Sequence, residues 1–210
     1  MSARPTASMT EAMRPAVPAI AALFALAACS GESEPPAPVL DEAAVIAASV
    51  PVAQAFQGDL KAQLQAALEA GGPVEAVSVC QQVAPAIAQA QSEASGAEVS
   101  RIAARHRNPA GGVPEELAQA YAALEAAPLA DGKPAVQIVR TGDGAGAKVH
   151  FLSAIPMQDQ PCSVCHGTSI EPALRAHIDQ LYPGDLATGF KPGELRGALL
   201  VSWNAERFLK

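Results

Sequence analysis

The sequence predicts an α+β protein built on a small antiparallel sheet. Residues 40–70 carry apolar side chains at helical spacing. Residues 135–140 and 148–155 are short strand-like runs around a Gly-rich turn, and residues 195–203 read as one more buried strand. Helical and strand segments are interspersed, but the strands are linked as a hairpin, and that combination points to α+β.

The chain begins with an export segment. Residues 15–28 (PAVPAIAALFALAA) follow Arg14 and end on Leu26-Ala27-Ala28-Cys29. A short apolar run behind a positive charge is the hydrophobic part of a signal peptide, too short to span a bilayer. Small residues before the cleavage point let a peptidase hold extended backbone, and a cysteine at that point is similar to the bacterial lipobox. Residues 1–28 are therefore expected to be a lipoprotein signal peptide, with Cys29 as the acylated mature N-terminus. The competing reading is an ordinary secretory signal with an incidental cysteine. More than one acyl chain gives lasting attachment, because each buried CH₂ contributes about 0.8 kcal/mol. Met13, directly before Arg14, makes a cleaner start than Met1. Residues 29–39, which include SGESEPPAP, read as a flexible tether. The location expected is the periplasm, on either the inner or the outer membrane.

The folded domain is expected over residues 40–210. In the first helix Val45, Ala48, Val52, Ala55, Phe56, Leu60, Leu64 and Leu68 make one stripe. Gly71-Gly72 ends it, and Pro73 opens a second helix at a favoured first-turn position. That helix carries Val77, Cys80, Ala84 and Ile87 on one side. Pro85 has no N–H for the carbonyl of Gln81, which predicts a kink or an early end. Residues 97–103 alternate weakly, as a strand does. Arg105-His106-Arg107-Asn108-Pro109, then Gly111-Gly112, is a polar turn region. Residues 114–126 have acidic side chains in their first turn and read as a helix. Thr141-Gly142-Asp143-Gly144-Ala145-Gly146 closes the hairpin. Residues 171–181 are expected to be helical, and Tyr182-Pro183-Gly184-Asp185 to turn the chain.

Composition bounds the function. Half of the chain is hydrophobic but only 4% is aromatic. Much of the apolar content is alanine, which favours helix and leaves little bulk for filling a core. The net charge is −7, and −8 without residues 1–28. An acidic chain without a basic stripe repels phosphate backbones, so nucleic acid is not an expected partner. A basic protein partner is compatible with this balance.

The chemistry is carried by Cys162-Ser163-Val164-Cys165-His166, a C-x-x-C-H motif. Two intervening residues let both sulfurs reach the two vinyl groups on one edge of a haem, and the next residue brings its imidazole under the iron. A zinc ribbon wants a second Cys or His pair at similar spacing, and the sequence has none. A thioredoxin-like pair wants the motif to open a helix directly after a strand, whereas Pro161 precedes it here. Behind an export signal, one covalently bound haem c is the favoured reading. Candidates for the second axial ligand are Met157, His106, His150, His177 and Cys80. Cys80 is the cysteine left without a role, and its plain reading is a small buried hydrophobe on a helical stripe. A thiolate held ionised by iron is the sharper alternative.

Five blocks together are similar to a family of PAS-like, c-type haem-binding domains, which occur as exported proteins and as sensory parts of signalling proteins. They are Ala76-Val77-Ser78-Val79-Cys80; Arg107-Asn108-Pro109 with Pro114-Glu115-Glu116; the C-x-x-C-H motif with Gly167; residues 182–190 (YPGDLATGF); and residues 193–198 (GELRGA). The resemblance covers residues 45–203. It implies a PAS-like antiparallel sheet flanked by helices, behind a long N-terminal helix, with haem against the sheet. It also implies His/Cys axial ligation, by His166 and, matched by position, Cys80. The block before Arg107 departs from the family's pattern, and His106 sits there as the alternative sixth ligand. Arg101, Arg105 and Arg107 are candidates for pairing with haem propionates, since a guanidinium matches a carboxylate bidentately.

Two functions follow as expectations. One is single-electron transfer or redox sensing in the periplasm, because a thiolate opposite histidine favours ferric iron and both axial positions are filled. The other is a CO or NO sensor in which Cys80 leaves on reduction and a separate partner carries the signal. Peroxide or nitrogen-oxide enzymology is the minor reading, and no catalytic residue is assigned.

Overall fold

The computed structural model describes residues 38–210. The signal segment, Cys29 and all of the tether before Pro38 lie outside the described residues. Val39 exchanges two backbone hydrogen bonds with Lys210, of 3.1 and 3.0 Å, so the last tether residue already belongs to the folded unit.

Helix α1 (Glu42–Ser78) starts where Asp41 accepts from the Ala44 N–H and where the Asp41 carboxylate meets Lys210 Nζ at 2.6 Å. It bends at Gly72, whose φ of +71° suits glycine and breaks the helical run. Sequence spacing places the break at the same point. A π-helical turn, Val79–Val83, follows, and then α2 (Ala84–Ser95), with Pro85 in its first turn. The disturbance expected at Pro85 is thus taken up one turn earlier, where the Ala84 N–H reaches back five residues to the Val79 carbonyl. Among the described residues no helix is long and apolar enough to cross a membrane.

The sheet has four antiparallel strands in the order β1-β6-β5-β4: β1 (Glu98–Ile102), β4 (Val136–Thr141), β5 (Lys148–Pro156) and β6 (Leu195–Asn204). All four occur where the sequence predicts strands. A two-residue hairpin, β2 (Leu129–Ala130) with β3 (Lys133–Pro134), turns at Asp131-Gly132. Helix α3 (Ala118–Ala126) follows a short 3₁₀ turn, α4 (Cys162–His166) is a single turn, and α5 (Pro172–Leu181) is capped by the Glu171 side chain. The result is an α+β architecture with a long N-terminal helix and helices flanking an antiparallel sheet.

Strand alternation divides the core. Val99, Val149, Phe151, Leu199, Val201 and Trp203 face α1 through Val45, Val52, Ala53 and Phe56. Leu152, Ala154, Ala198 and Leu200 face Leu117 of the 3₁₀ turn and Tyr121 and Leu124 of α3. Each fully buried Phe or Leu contributes about 1.5–3 kcal/mol. Trp203 Nε1 donates to Ser49 Oγ at 2.9 Å, which pins α1 to β6. Of the predicted stripe, Val45, Val52 and Phe56 enter this core and Ala55 stays exposed. Leu60 packs against the edge of this core and, with Leu64 and Leu68, lines a cavity.

Candidate functional site

The cavity opens at the end of the sheet where β5 and β6 leave their common register at Ile155/Pro156. One wall is the helical hairpin, with Leu60, Leu64 and Leu68 on α1 and Cys80 on the π-helical turn. The opposite wall is the motif turn, with Cys162, Cys165 and His166. Residues far apart in the chain thus meet in one space. Cys80, Cys162 and Cys165 are free and partly buried.

The motif turn is held from outside by residues 185–190. His166 Nδ1 lies 2.7 Å from the Ala187 carbonyl oxygen, which can only accept, so Nδ1 carries the proton. Burial, reinforced by the nearby Arg196 and Arg107 guanidiniums, pushes this imidazole well below the usual histidine range, and the bond to Ala187 opposes that only in part. The ring is therefore neutral, with Nε2 free to bind a metal. The backbone repeats the clamp: Phe190 N–H donates to the His166 carbonyl at 2.9 Å, and Gly189 N–H to that of Gly167 at 2.8 Å. Gly167 is required by closeness, because a Cβ there would sit 2.5 Å from the Ser163 carbonyl oxygen.

Arg107 joins the clamp to the strand side. Its Nη2 donates to the Cys165 carbonyl at 2.7 Å, and its Nε and Nη2 form a fork on Asp185 at 3.2 and 3.1 Å. Both side chains are removed from water, at 6% and 0% exposure. Asp185 also accepts from the Ala187 N–H at 2.9 Å, in the segment that holds His166. Burial pushes the Cys165 thiol up, with Arg107 opposing.

Not every predicted residue reaches this space. Of the five candidate sixth ligands, Cys80 and His106 line the cavity. Met157 packs against Ala187, Phe190 and Cys162 outside it. His150 lies toward the far end of β5, bonded to Ser202 and Thr141. His177 sits on α5 and is not part of the lining. Arg101 and Arg107 line the cavity, but Arg105 does not. Its guanidinium lies 3.7 Å from the Phe190 ring centroid, donates to the Thr188 carbonyl and faces Glu194 at 3.8 Å. These contacts tie Arg105 to the 188–194 loop.

Arg196 is the cavity residue that sequence reasoning missed. The signal was present, because it is the only charged residue in the apolar run 195–203, and a charge inside such a strand needs a reason.

The donor set suits a haem: a neutral imidazole, a second soft ligand on the facing wall, and two cysteines spaced for thioether links. Leu60, Leu64 and Leu68 of α1 give the cavity an apolar wall beside these donors. Among the described residues no three His, Cys, Asp or Glu side chains are grouped to hold a bare metal ion.

Residues 8–204 match the Tll0287-like family. The crystal structure of the cyanobacterial haem protein Tll0287 is similar to this chain, with 27% identity and a TM-score of 0.53, over 78% of this chain and 94% of that one. No curated protein matches.

Proposed function

Because the chain belongs to the Tll0287-like family, we propose that it is a haem protein: a lipid-anchored, periplasmic, monohaem c-type cytochrome acting in one-electron transfer or redox sensing. The observation that carries this reading is the convergence of Cys80, Cys162, Cys165 and His166 on one cavity. Cys162 and Cys165 would hold the haem covalently, His166 and Cys80 would ligate its iron, and the haem would supply a one-electron couple.

The chain's own residues set how that couple behaves. The Ala187 carbonyl holds His166 in the tautomer that presents Nε2 and keeps the ring basic. Arg107 and Asp185 fix the turn that carries both cysteines. A Cys80 thiolate favours the ferric state, and Leu60, Leu64 and Leu68 keep water from the wall on that side. Acylation at Cys29 anchors the domain to the membrane.

One observation favours a sensor as the second reading. Cys80 sits on a π-helical turn, a rearranged backbone often found at functional sites. A ligand borne on such a turn is suited to leave on reduction and admit CO or NO.

The test is a pyridine haemochrome spectrum with an intact mass, on protein made in a host equipped for cytochrome c maturation. One haem c per chain and a lipid-modified mature N-terminus are expected. Cys80→Ser should convert a low-spin thiolate spectrum to high-spin, or recruit His106. A mass equal to bare polypeptide overturns the proposal, and an unchanged spectrum in Cys80→Ser removes Cys80 as ligand. Rapid CO binding by the ferrous protein would favour the sensor.

A further inference from the structure

The cavity has an unbalanced charge. Among the described residues it is lined by three arginines, Arg101, Arg107 and Arg196, and by no carboxylate. Arg107 is already matched to Asp185. Arg196 is not matched: its Nε is buried and has no hydrogen-bond partner. Its one hydrogen bond, from Nη1 to the Arg105 carbonyl, is long at 3.4 Å. Burial and the neighbouring Arg101 and Arg107 charges push its pKa down to about 10, which still leaves it cationic at neutral pH. A buried cation with a free donor is costly unless an anion completes it. Gly197 fixes where that cation sits. A Cβ there would come within 2.8 Å of the Ile102 carbonyl, so β6 runs against β1 with no room to shift.

We propose that Arg196 is the inner anion-binding residue of the cavity and that it takes a carboxylate of the haem, a role that resemblance and spacing had spread over Arg101, Arg105 and Arg107. This rests on the haem reading above. Arg101, an exposed residue of β1 whose guanidinium lies 5.9 Å from the Phe56 ring centroid, shares the carboxylates from the rim. Arg107 is a positioning residue for the motif turn, and Arg105 braces the loop.

A guanidinium on a haem carboxylate leaves two traces. Its positive charge near the iron favours the ferrous form and so raises the reduction potential. Its N–H groups shift the propionate vibrations seen by resonance Raman. The experiment compares wild-type holoprotein with Arg196→Met, Arg196→Lys and the control Arg140→Gln, an exposed position of β4 outside the cavity lining. Potentials are measured by electrochemical titration, in which the electrode supplies the single electron that takes ferric iron to ferrous. Arg196→Met should lower the potential and move the propionate band. Arg196→Lys should keep the potential near wild type while still moving the band, because an ammonium lacks the fork. Arg140→Gln should match wild type in both.

Wild-type potential and band in Arg196→Met overturn the inference. If Arg196→Met does not retain haem, Arg196→Lys decides: an unmoved propionate band there overturns it equally. A wild-type protein without haem defeats the haem reading itself, whereas loaded protein indifferent to position 196 defeats only this assignment.

Discussion

Strands β5 and β6 carry a polar cluster at each end, and the two differ in whether their hydrogen bonds close. At one end His150 Nδ1 meets Ser202 Oγ and His150 Nε2 meets Thr141 Oγ1, both at 2.8 Å. At the other end Arg196 Nε and His106 Nδ1 are buried without partners. Strand β6 serves both, through Ser202 at one end and Arg196 at the other. A buried donor left unpaired costs about 1–3 kcal/mol, so the closed end stabilises the fold while the open end draws on it. Unpaired buried groups are rare in native proteins and call for something outside the chain. The contrast locates the ligand more sharply than the C-x-x-C-H motif alone, which names the attachment points but not the groups that receive the rest of the cofactor.

The largest effect is expected where the open end contains a closed pair. Asp185→Ala leaves the Arg107 charge buried and unmatched, and breaking such a pair costs about 3–5 kcal/mol. It also releases the Ala187 N–H beside the carbonyl that orients His166. Urea unfolding of the holoprotein should show that loss, together with a changed Soret band. A loss below about 1 kcal/mol, the range of an exposed ion pair, would mean that Arg107 and Asp185 are not a sealed unit and that the whole cavity end is open.

At the closed end the effect should be smaller and confined to stability. Ser202→Ala removes one of the two partners of His150 and leaves its Nδ1 unpaired. The expected cost is about 1–2 kcal/mol, with the haem spectrum and potential unchanged. A spectral shift in Ser202→Ala would couple the two ends and erase the distinction between them.

How much of this was legible in sequence depends on how local each signal is. Helix α1 and strand β1 are legible because burial on one side imposes a side-chain period, β6 as a continuous apolar run, and α3 by the acidic residues of its first turn. The β2–β3 hairpin was missed although Asp131-Gly132 is a strong turn signal, because two-residue strands have no period to read. The C-x-x-C-H turn was legible because all its chemistry lies within five residues. Arg105 and Arg107 looked equivalent, yet in the irregular chain after β1 one turns to Thr188 and the other to Asp185. Arg196 stands out in sequence as the one charge in the run 195–203, but its place in the cavity depends on the register shift at Ile155/Pro156, a pairing feature that one strand's sequence does not encode. The Tyr182–Phe190 block entered by resemblance alone. Its physical content, a clamp on His166 and Gly167, emerges only when the chain is folded.

The smallest effect is a pH dependence that belongs to the closed end. Burial holds the His150 pKa below the ordinary histidine value, with Lys148 adding to the shift and Glu116 and Glu98 opposing it. Unfolded, the same side chain titrates near about 6.5. Above that value both states are neutral and His150 adds no slope. As the pH falls below it, the unfolded chain takes up a proton that the folded chain declines, so stability declines until the folded pKa is reached. His150→Gln keeps a hydrogen-bonding group without the titration. Its urea-derived stability should therefore lose less than that of wild type between pH 7 and lower pH, while the Soret band of both stays constant over the upper part of that window. Parallel stability curves for the two proteins would mean that His150 takes up its proton in the folded state as readily as in the unfolded one. The cluster would then be accessible to water, and the two ends of the sheet would differ in their residues but not in their closure.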